Sequence, residues 1–330
     1  MNRSSLTTRI ARALGGVLWC AAVATASAQT FPDKPLRVIV PAPPGGTLDV
    51  VARLLADSMQ PMLGGQPVIV DNKAGAVGML GVNELLGAPH DGHTVMVHIS
   101  GIVSEIPHLA KPRYDPFKDI KPIAQLTRSG LVFVGAPQVP ATTLKEAVGH
   151  IKANPGKISV ASYTTGTISH TLGVEFNGLA GLDMSHVGYK GSPPALQDLI
   201  GGHVQFMFDG PATSVPMIKA GKVKAYAVTT PQRLAALPEV PTFEELGYPA
   251  MTTVAWVALW VSPEVPAAVQ ARLRELAHKA MQAPVVRERL SSLGMESGVA
   301  SATSEDLARS LRTAYERQGS LLKSINFKPD

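Results

Sequence analysis

The feature of this sequence that most constrains its fold is a regular alternation of short apolar runs with longer amphipathic stretches. Two of the runs, Leu36–Val40 and Thr94–Ile99, are bounded by Pro, Gly or Asp residues of the kind that end strands. Apolar runs that alternate with helical patterns are typical of βαβ units and parallel sheets. Further runs lie at 67–70, 131–134, 158–161, 204–208, 223–228 and 254–261. We therefore predict an α/β fold whose sheets are mainly parallel and are flanked by helices.

Helical patterns occupy much of the chain between these runs. Thr143 and Glu146 have the spacing of a capping box, which predicts a helix over 144–153. Thr242 and Glu245 have the same spacing and are a second candidate for a helix start. Other predicted helices lie at 49–62, 169–179 and 214–220, and a helical pattern from 267 to 322 is broken at Pro284 and Gly294.

The domain organisation follows from the length and from the absence of a linker. A chain of 330 residues suggests two domains, since a domain typically has about 100–200 residues. No low-complexity segment separates two halves, so we expect the chain to cross between them twice, near 128–131 and near 251–253. We predict one lobe from 29–130 plus 254–330, with the C-terminal helices packed on it, and a second lobe from 131–253.

The N-terminus has the pattern of an export signal. Three arginines in the first 12 residues precede an apolar stretch at 13–24, and Ala26-Ser27-Ala28 is an A-x-A cleavage site. The apolar stretch is shorter than the roughly 20 residues that a membrane span needs. We predict that residues 1–28 are a signal peptide cleaved after Ala28, which leaves a periplasmic protein without cysteine because the one cysteine is Cys20.

Composition and motifs exclude several functional classes. The formal net charge of +5 owes much to the N-terminal arginines, and no run of Lys or Arg forms the basic stripe of a nucleic-acid binder. The sequence contains no nucleophile elbow, no P-loop and no dinucleotide fingerprint. His90 and His93 have no Glu at zinc-protease spacing, and we interpret them as part of a turn. We expect no catalysis, no cofactor and no metal.

Two loops rich in small residues carry the strongest indication of a binding site. Gly45, Gly46 and Thr47 follow a strand and open a helix, and Asp49 lies in the first turn of that helix. The run at 164–167, Thr-Thr-Gly-Thr, has the same position between a strand and a helix. Glycines allow close backbone approach, and the free N–H groups at a helix start favour an anion. Loops of this kind lie at the carboxyl ends of strands, where open α/β sheets bind ligands.

Several ordered segments also match a known family. They are 35–41, 44–46 with 49 and 52–53, 65–68, 71–76, 91–94, 154–157, 166–170, 189–191, 220–222, 233, 237–242 and 245–247. In this order and spacing the chain resembles the Bug-type extracytoplasmic solute receptors, the substrate-binding components of tripartite tricarboxylate transporters. The resemblance itself runs from about Phe31 to Leu321.

The resemblance implies a fold and a function. The fold would be a two-lobed periplasmic-binding-protein fold of type II character, with two crossover strands. The protein would be a monomeric receptor that closes on a small carboxylate and delivers it to the membrane subunits of a transporter, without binding nucleic acid. Two alternatives stay open, namely a ligand-binding sensor for a two-component system and, less favoured, a periplasmic hydrolase on the same fold.

The resemblance also implies a set of ligand-binding residues on the two lobes. These residues are Gly45, Gly46, Thr47, Asp49 and Ser100 in the first lobe, and Thr165, Gly166, Thr167, His170, Tyr189 and Asp209 in the second. The chain departs from the family pattern at Ala42, where an aromatic residue is usual, at Thr164, where glycine is usual, and at His93, where tyrosine is usual. We expect the missing aromatic residue at position 42 to enlarge or reshape the pocket.

Overall fold

The computed structural model describes residues 31–298 and 301–324. The predicted signal peptide at 1–28 lies outside the described residues. Within the described ranges, none of the helices combines the length and the apolar character that a membrane span requires.

The strands form two separate sheets. In chain order they are β1 Leu36–Val40, β2 Val68–Asn72, β3 Thr94–Ile99, β4 Lys121–Ser129, β5 Val132–Gly135, β6 Ile158–Ser162, β7 Met184–Gly188, β8 Phe206–Asp209, β9 Lys224–Val228, β10 Ala255–Val261 and β11 Glu296–Ser297. The first sheet has the order β11-β4-β10-β3-β1-β2, and the second has the order β7-β6-β8-β5-β9.

Helices flank both sheets. They are α1 Thr47–Met59, α2 Met79–Leu86, α3 Gly101–Ser104, α4 Leu144–Lys152, α5 Ile168–Ala180, α6 Ser192–Gly201, α7 Pro211–Lys219, α8 Ala267–Gln282, α9 Pro284–Ser292 and α10 Ser304–Ser324. This arrangement of two sheets with flanking helices confirms the predicted α/β fold class.

Each sheet has a parallel part and an antiparallel part, where the alternation predicted mainly parallel strands. In the first sheet β1 runs parallel to β2 and β3, while β10 runs antiparallel to β3 and β4. In the second sheet β6 runs parallel to β7 and β8, while β5 runs antiparallel to β8 and β9. The antiparallel parts arise because β4, β5, β9 and β10 carry the chain from one sheet to the other and back.

The chain passes between the sheets twice. It leaves the first sheet after β4 and enters the second at β5, and it returns after β9 to β10. The C-terminal helix α10 then packs against α3 and β4 of the first sheet. The lobe boundaries at 130/131 and 253/254 stay a prediction.

The two sheets have different cores. The first sheet is covered on its two faces by two mainly aliphatic clusters, which include Leu55 of α1 on one face and Trp260 of β10 on the other. The second sheet has an aromatic cluster centred on Phe133, whose ring lies 4.6 Å from that of Phe208 and 5.2 Å from that of Phe206. Burial of each such side chain contributes roughly 1.5–3 kcal/mol. The few aromatic residues of this chain therefore stabilise mostly the second sheet.

The two predicted capping boxes have different outcomes. The box at Thr143 and Glu146 is present at the start of α4, which confirms that prediction. At Thr242 and Glu245 the reciprocal bonds also form, with the Glu245 N–H donating to Thr242 Oγ1 over 3.0 Å. No helix follows there, because the chain turns at Gly247, whose φ is 87°.

Candidate functional site

A cavity of about 460 Å³ lies between the two sheets. Its wall includes residues that directly follow, or end, the strands β1, β3, β6, β7 and β8, namely Pro41, Ile99, Tyr163, Gly188 and Gly210. The wall is completed by the strands on which the chain crosses between the sheets, through Thr127, residues 129–131 and residues 255–257. The cavity is thus at the carboxyl ends of the parallel strands, which is the usual ligand position in α/β sheets.

The first glycine-rich loop brings the start of α1 to this cavity. Gly45 has a φ of 77°, a left-handed conformation that favours glycine, and its N–H donates to Asp49 Oδ2 over 2.9 Å. Gly46 and Thr47 line the cavity, whereas Gly45 and Asp49 lie behind them. The first N–H groups of a helix have no partner within the helix, so the start of α1 can donate to an anion.

Asp49 is a buried carboxylate whose role is to hold the first loop. Arg53 Nε donates to the same Oδ2 over 2.9 Å. Burial opposes ionisation, but the bonds from Arg53 and from the Gly45 N–H outweigh it and hold the pKa of Asp49 below its usual value. The carboxylate is therefore charged at neutral pH and shapes the loop rather than facing the cavity.

The second loop repeats this arrangement with different chemistry. Gly166 has a φ of 79°, and its N–H donates to His170 Nδ1 over 2.9 Å. Thr165 and Thr167 line the cavity, whereas Gly166 and His170 lie behind them. The Thr167 hydroxyl donates to the Thr164 carbonyl over 2.7 Å, which fixes the loop from inside.

His170 accepts a hydrogen bond, so its Nδ1 must be unprotonated. Its ring stacks on that of His186 with the centroids 3.7 Å apart. Burial lowers the pKa of His170, which favours the neutral ring that this bond requires.

Two further helices, α6 and α7, begin at the cavity wall, where Ser192 and Gly210 lie. Both helices have proline in their first positions, and proline has no N–H to donate. The available backbone donors are therefore concentrated at α1 and α5.

Asp209 lies behind the wall and organises it. Its carboxyl accepts from Ser192 Oγ over 2.5 Å and from Thr213 Oγ1 over 2.6 Å. Burial raises the pKa of Asp209 to about 6, against the lowering effect of these bonds. Asp209 therefore orients Ser192, which itself lines the cavity.

Of the two remaining predicted site residues, Tyr189 lines the cavity and Ser100 does not. Tyr189 lines the cavity, and its hydroxyl donates to Asp198 Oδ2 over 2.7 Å. Ser100 is buried at the start of α3 and is not among the wall residues, and its N–H donates to the carbonyl of Trp256 over 2.9 Å. The residues at two of the departures from the family pattern, Ala42 and Thr164, also line the cavity. His93 does not, and lies instead 3.0 Å from Asp33 Oδ1.

Several wall residues were not predicted from the sequence. One group is the segment 74–78, in which Ala76 and Val77 have positive φ values of 46° and 51°. A β-branched residue in this region is strained, and such strain concentrates at functional sites. The two glycines of this segment, Gly75 and Gly78, are the sequence feature that could have indicated its place in the site.

Two buried titratable side chains, His98 and Glu105, were also missed. Burial lowers the pKa of His98 to about 4, so the ring is neutral. Glu105 Oε2 accepts from the N–H of Ile168 over 3.0 Å, across the cavity wall from the first sheet to the start of α5. Nothing in the local sequence distinguishes either residue from an ordinary surface or core position.

Charge on the described part of the wall is sparse. Its one lysine or arginine is Lys190, whose side chain is exposed to solvent. Burying an unpaired cation is costly, and donation from helix N-termini avoids that cost. The wall can therefore hold an anion mainly through backbone and hydroxyl donors.

A serine–histidine pair lies near the second loop. Ser162 Oγ is 2.7 Å from His186 Nε2. Ser162 is fully buried and is not part of the cavity wall, so a substrate in the cavity could not reach it. Among the described residues, no group of three or more His, Cys, Asp or Glu side chains could hold a metal.

Comparison with known proteins places this geometry in a family. Residues 51–327 match the tripartite tricarboxylate transporter family receptor. The protein BugT of Bordetella pertussis is 32% identical over 290 residues, which cover 87% of this chain and 89% of BugT. The chain therefore belongs to the family of tripartite tricarboxylate transporter receptors, as the sequence segments predicted, and is a Bug-type solute-binding protein.

Solved structures share the fold over almost the whole described chain. MatC from Rhodopseudomonas palustris, with bound malate, has a TM-score of 0.81 and 32% identity, covering 88% of this chain and 100% of its own. The R. palustris protein Rpa4515, with adipate, has a TM-score of 0.86 and 25% identity, covering 91% and 100%. The prediction of a two-lobed periplasmic-binding-protein fold is thereby confirmed.

Proposed function

We propose that this protein is a periplasmic receptor that binds a small carboxylate in the cavity and delivers it to the membrane subunits of a tripartite tricarboxylate-type transporter. The observation that carries the proposal is the convergence of two helix N-termini, those of α1 and α5, on one cavity from opposite sheets. Each supplies the positive end of a helix dipole and N–H groups near the cavity, of which the Ile168 N–H of α5 donates to Glu105. Malate and adipate in two structural neighbours support a carboxylate ligand.

The contacts with the ligand would come from the wall residues of the two loops. We propose that Gly46 and Thr47 on one side, and Thr165 and Thr167 on the other, hold the carboxylate, with Tyr189 beside it. Gly45, Asp49, Gly166, His170 and Asp209 would act one layer back by fixing the loops and Ser192. Ser100 would have no direct contact with the ligand.

The two parts of the chain built on the two sheets would act as lobes that close on the ligand. Two chain crossings connect them, at 129–132 and 228–255, which is the connection that a hinge requires. We propose that residues 1–28 direct export and are cleaved after Ala28. We also propose that the protein releases its ligand chemically unchanged, because the serine–histidine pair, Ser162 and His186, does not open onto the described cavity wall.

A panel of six acids tests the carboxylate proposal: malate, adipate, aspartate, citrate, benzoate and nicotinate. We expect at least one to raise the unfolding temperature and to bind stoichiometrically in calorimetry. Native mass spectrometry of protein purified without refolding would show whether an acid of this class co-purifies. If none of the six binds and no acid co-purifies, the proposal is wrong.

A further inference from the structure

Glu105 is a buried carboxyl group on the wall of the proposed ligand cavity. It follows α3 of the first sheet, and its Oε2 accepts from the Ile168 N–H at the start of α5, next to the second loop. Only 7% of its surface is exposed. A carboxyl group of the protein therefore occupies part of the donor set that an anionic ligand would use.

The surroundings of Glu105 are built around its carboxyl group. A β-carbon placed at Gly101 would lie 2.7 Å from Glu105 Oε2 and 3.0 Å from Oε1, so the carboxyl fits because residue 101 is glycine. From the same side, Gln318 of α10 donates to the Gly166 carbonyl over 3.1 Å. Glu105 and Gln318 thus join the first sheet to the second loop at adjacent points.

Among the residues that the structure describes, no positively charged side chain compensates Glu105. The titratable neighbours of Glu105 along the wall are Tyr163 and His98. The negative charges of Glu105 and Asp209 both raise the pKa of Tyr163. On α5, His170 binds the Gly166 N–H, and Lys190 on the rim is exposed. Burial raises the pKa of Glu105 to about 7, and the Ile168 N–H opposes this only in part.

Two charge states of Glu105 would treat an anion differently. The ionised carboxylate repels a second carboxylate in a cavity that lacks a buried cation. The protonated carboxyl can keep its bond from Ile168 at one oxygen and donate a hydrogen bond from the other. When the lobes separate, water reaches Glu105 and its pKa returns toward the ordinary value of about 4.3.

We propose that Glu105 is a specificity-determining residue of this cavity, and that the protein takes up a proton at Glu105 when it closes on an anionic ligand. The inference rests on the proposed carboxylate-binding function and deepens it. The site would favour acids that accept a hydrogen bond from a neutral carboxyl group, and capture would become weaker as the pH rises.

Linkage gives the size of the effect. With a pKa near 4.3 in the open form and about 7 in the closed form, the affinity should fall about tenfold from pH 6 to pH 8. Closure at pH 6 should take up about 0.9 proton, and closure at pH 7 about half a proton.

Calorimetry in buffers of different ionisation enthalpy measures this proton uptake directly. The probes are the same six acids, titrated at pH 6, 7 and 8 into the wild-type protein, Glu105→Gln and Glu175→Gln. Glu175 is a matched control, because burial also raises its pKa while it lies outside the cavity wall. We expect Glu105→Gln to bind with little proton uptake and nearly constant affinity, and Glu175→Gln to behave like the wild type.

The outcomes separate this inference from the proposed function. Binding of an acid by the wild type with no proton uptake, or with uptake that survives in Glu105→Gln, overturns the inference and leaves the function intact. Absence of binding by all six acids, together with the absence of a co-purified acid, overturns the proposed function, and the inference with it. The proton count of the wild type needs no variant, so misfolding of Glu105→Gln would not obscure the result.

Discussion

The two glycine-rich loops at the cavity are alike in backbone geometry and different in what holds them. In both, a left-handed glycine donates its N–H over 2.9 Å to a side chain four residues later, at Asp49 in one loop and His170 in the other. Asp49 is charged and paired with Arg53, whereas His170 is neutral and stacked on His186. The same loop shape is thus reached with an ion pair in one half of the molecule and with an aromatic stack in the other.

The loops also differ in their dependence on the opposite sheet. A β-carbon at Gly45 would meet no atom within 4 Å, whereas one at Gly166 would overlap the side chain of Leu109, which belongs to the first-sheet part of the chain. Gln318 and Glu105 contact the second loop from that same part. The hydrogen bonds that fix the first loop therefore come from its own part of the chain, whereas the second loop also receives hydrogen bonds from the first-sheet part.

The largest effect should come from adding a methyl group to the second glycine. Gly166→Ala adds an overlap with Leu109 to the strain of a left-handed backbone, at a cost of about 2–4 kcal/mol. We expect ligand affinity to fall by roughly 30- to 1000-fold.

Gly45→Ala is the matched control, because it introduces the strain alone. We expect it to cost about 1–2 kcal/mol, or roughly five- to thirtyfold in affinity. Calorimetry measures the ligand affinity of both variants. A larger loss of affinity in Gly45→Ala than in Gly166→Ala would contradict the proposed difference between the loops.

Removal of the two acceptor side chains should have a smaller and unequal effect. Asp49→Ala removes a hydrogen bond to a charged group, worth about 1.5–3 kcal/mol, and leaves Arg53 without this partner. His170→Ala removes a neutral hydrogen bond, worth about 1 kcal/mol. We expect Asp49→Ala to reduce affinity at least tenfold and His170→Ala about fivefold. Equal losses in the two variants would show that the charge of Asp49 does not matter.

A fall in pH should affect the side chains that hold the two loops at different pH values, so the loops can be compared without a mutation. Because burial lowers the folded-state pKa of His170 below 6.5, its neutral form persists in the folded protein while the unfolded chain takes up a proton. His170 therefore contributes a loss of stability that begins as the pH falls through 6.5. The pKa of Asp49 is below its usual value, so its contribution is retained until lower pH.

We expect the Gly166 amide signal to move only below pH 6.5, when His170 is protonated in the folded protein, and the Gly45 amide signal to stay constant over that range. Heteronuclear NMR of the ligand-free protein measures both amides in one titration. Movement of Gly45 in the same range would contradict the assignment of different holding groups.

How much of this could be read from the sequence differs between elements. The bounds of β1 and β3 were predicted correctly, because mainly apolar runs end there at proline or at a turn. Strand β4 was missed, since Lys121–Ser129 contains Pro122 and the buried polar residues Gln125 and Thr127 and so lacks an apolar pattern. Polar residues in a central strand become understandable only when its neighbours are known.

The candidate site also has parts that the sequence predicts and parts that it does not. Glycine and threonine at strand ends predicted both loops, because this chemistry is local. The roles of Asp49, His170 and Asp209 behind the wall, and the position of Glu105 on it, depend on contacts between distant parts of the chain. No spacing in the sequence could place Glu105 against Ile168.

The smallest effect should come from a single hydroxyl in the second loop. Thr167→Ala removes a donor to the Thr164 carbonyl, and we expect about 1 kcal/mol, or roughly fivefold in affinity. Thr313→Ala is the control, because its hydroxyl also donates to a backbone carbonyl, that of Arg309, on an exposed face of α10. Calorimetry should show no change in Thr313→Ala, and a similar loss in both variants would point to a general effect on stability.

The central claim is that the two loops hold one anion together. An amide NMR titration with whichever of the six acids binds most tightly tests it directly, through the signals of residues 47–49 and 167–169. The account predicts that both groups shift, with one common midpoint and a stoichiometry of one. A shift in only one group, or two different midpoints, would contradict it.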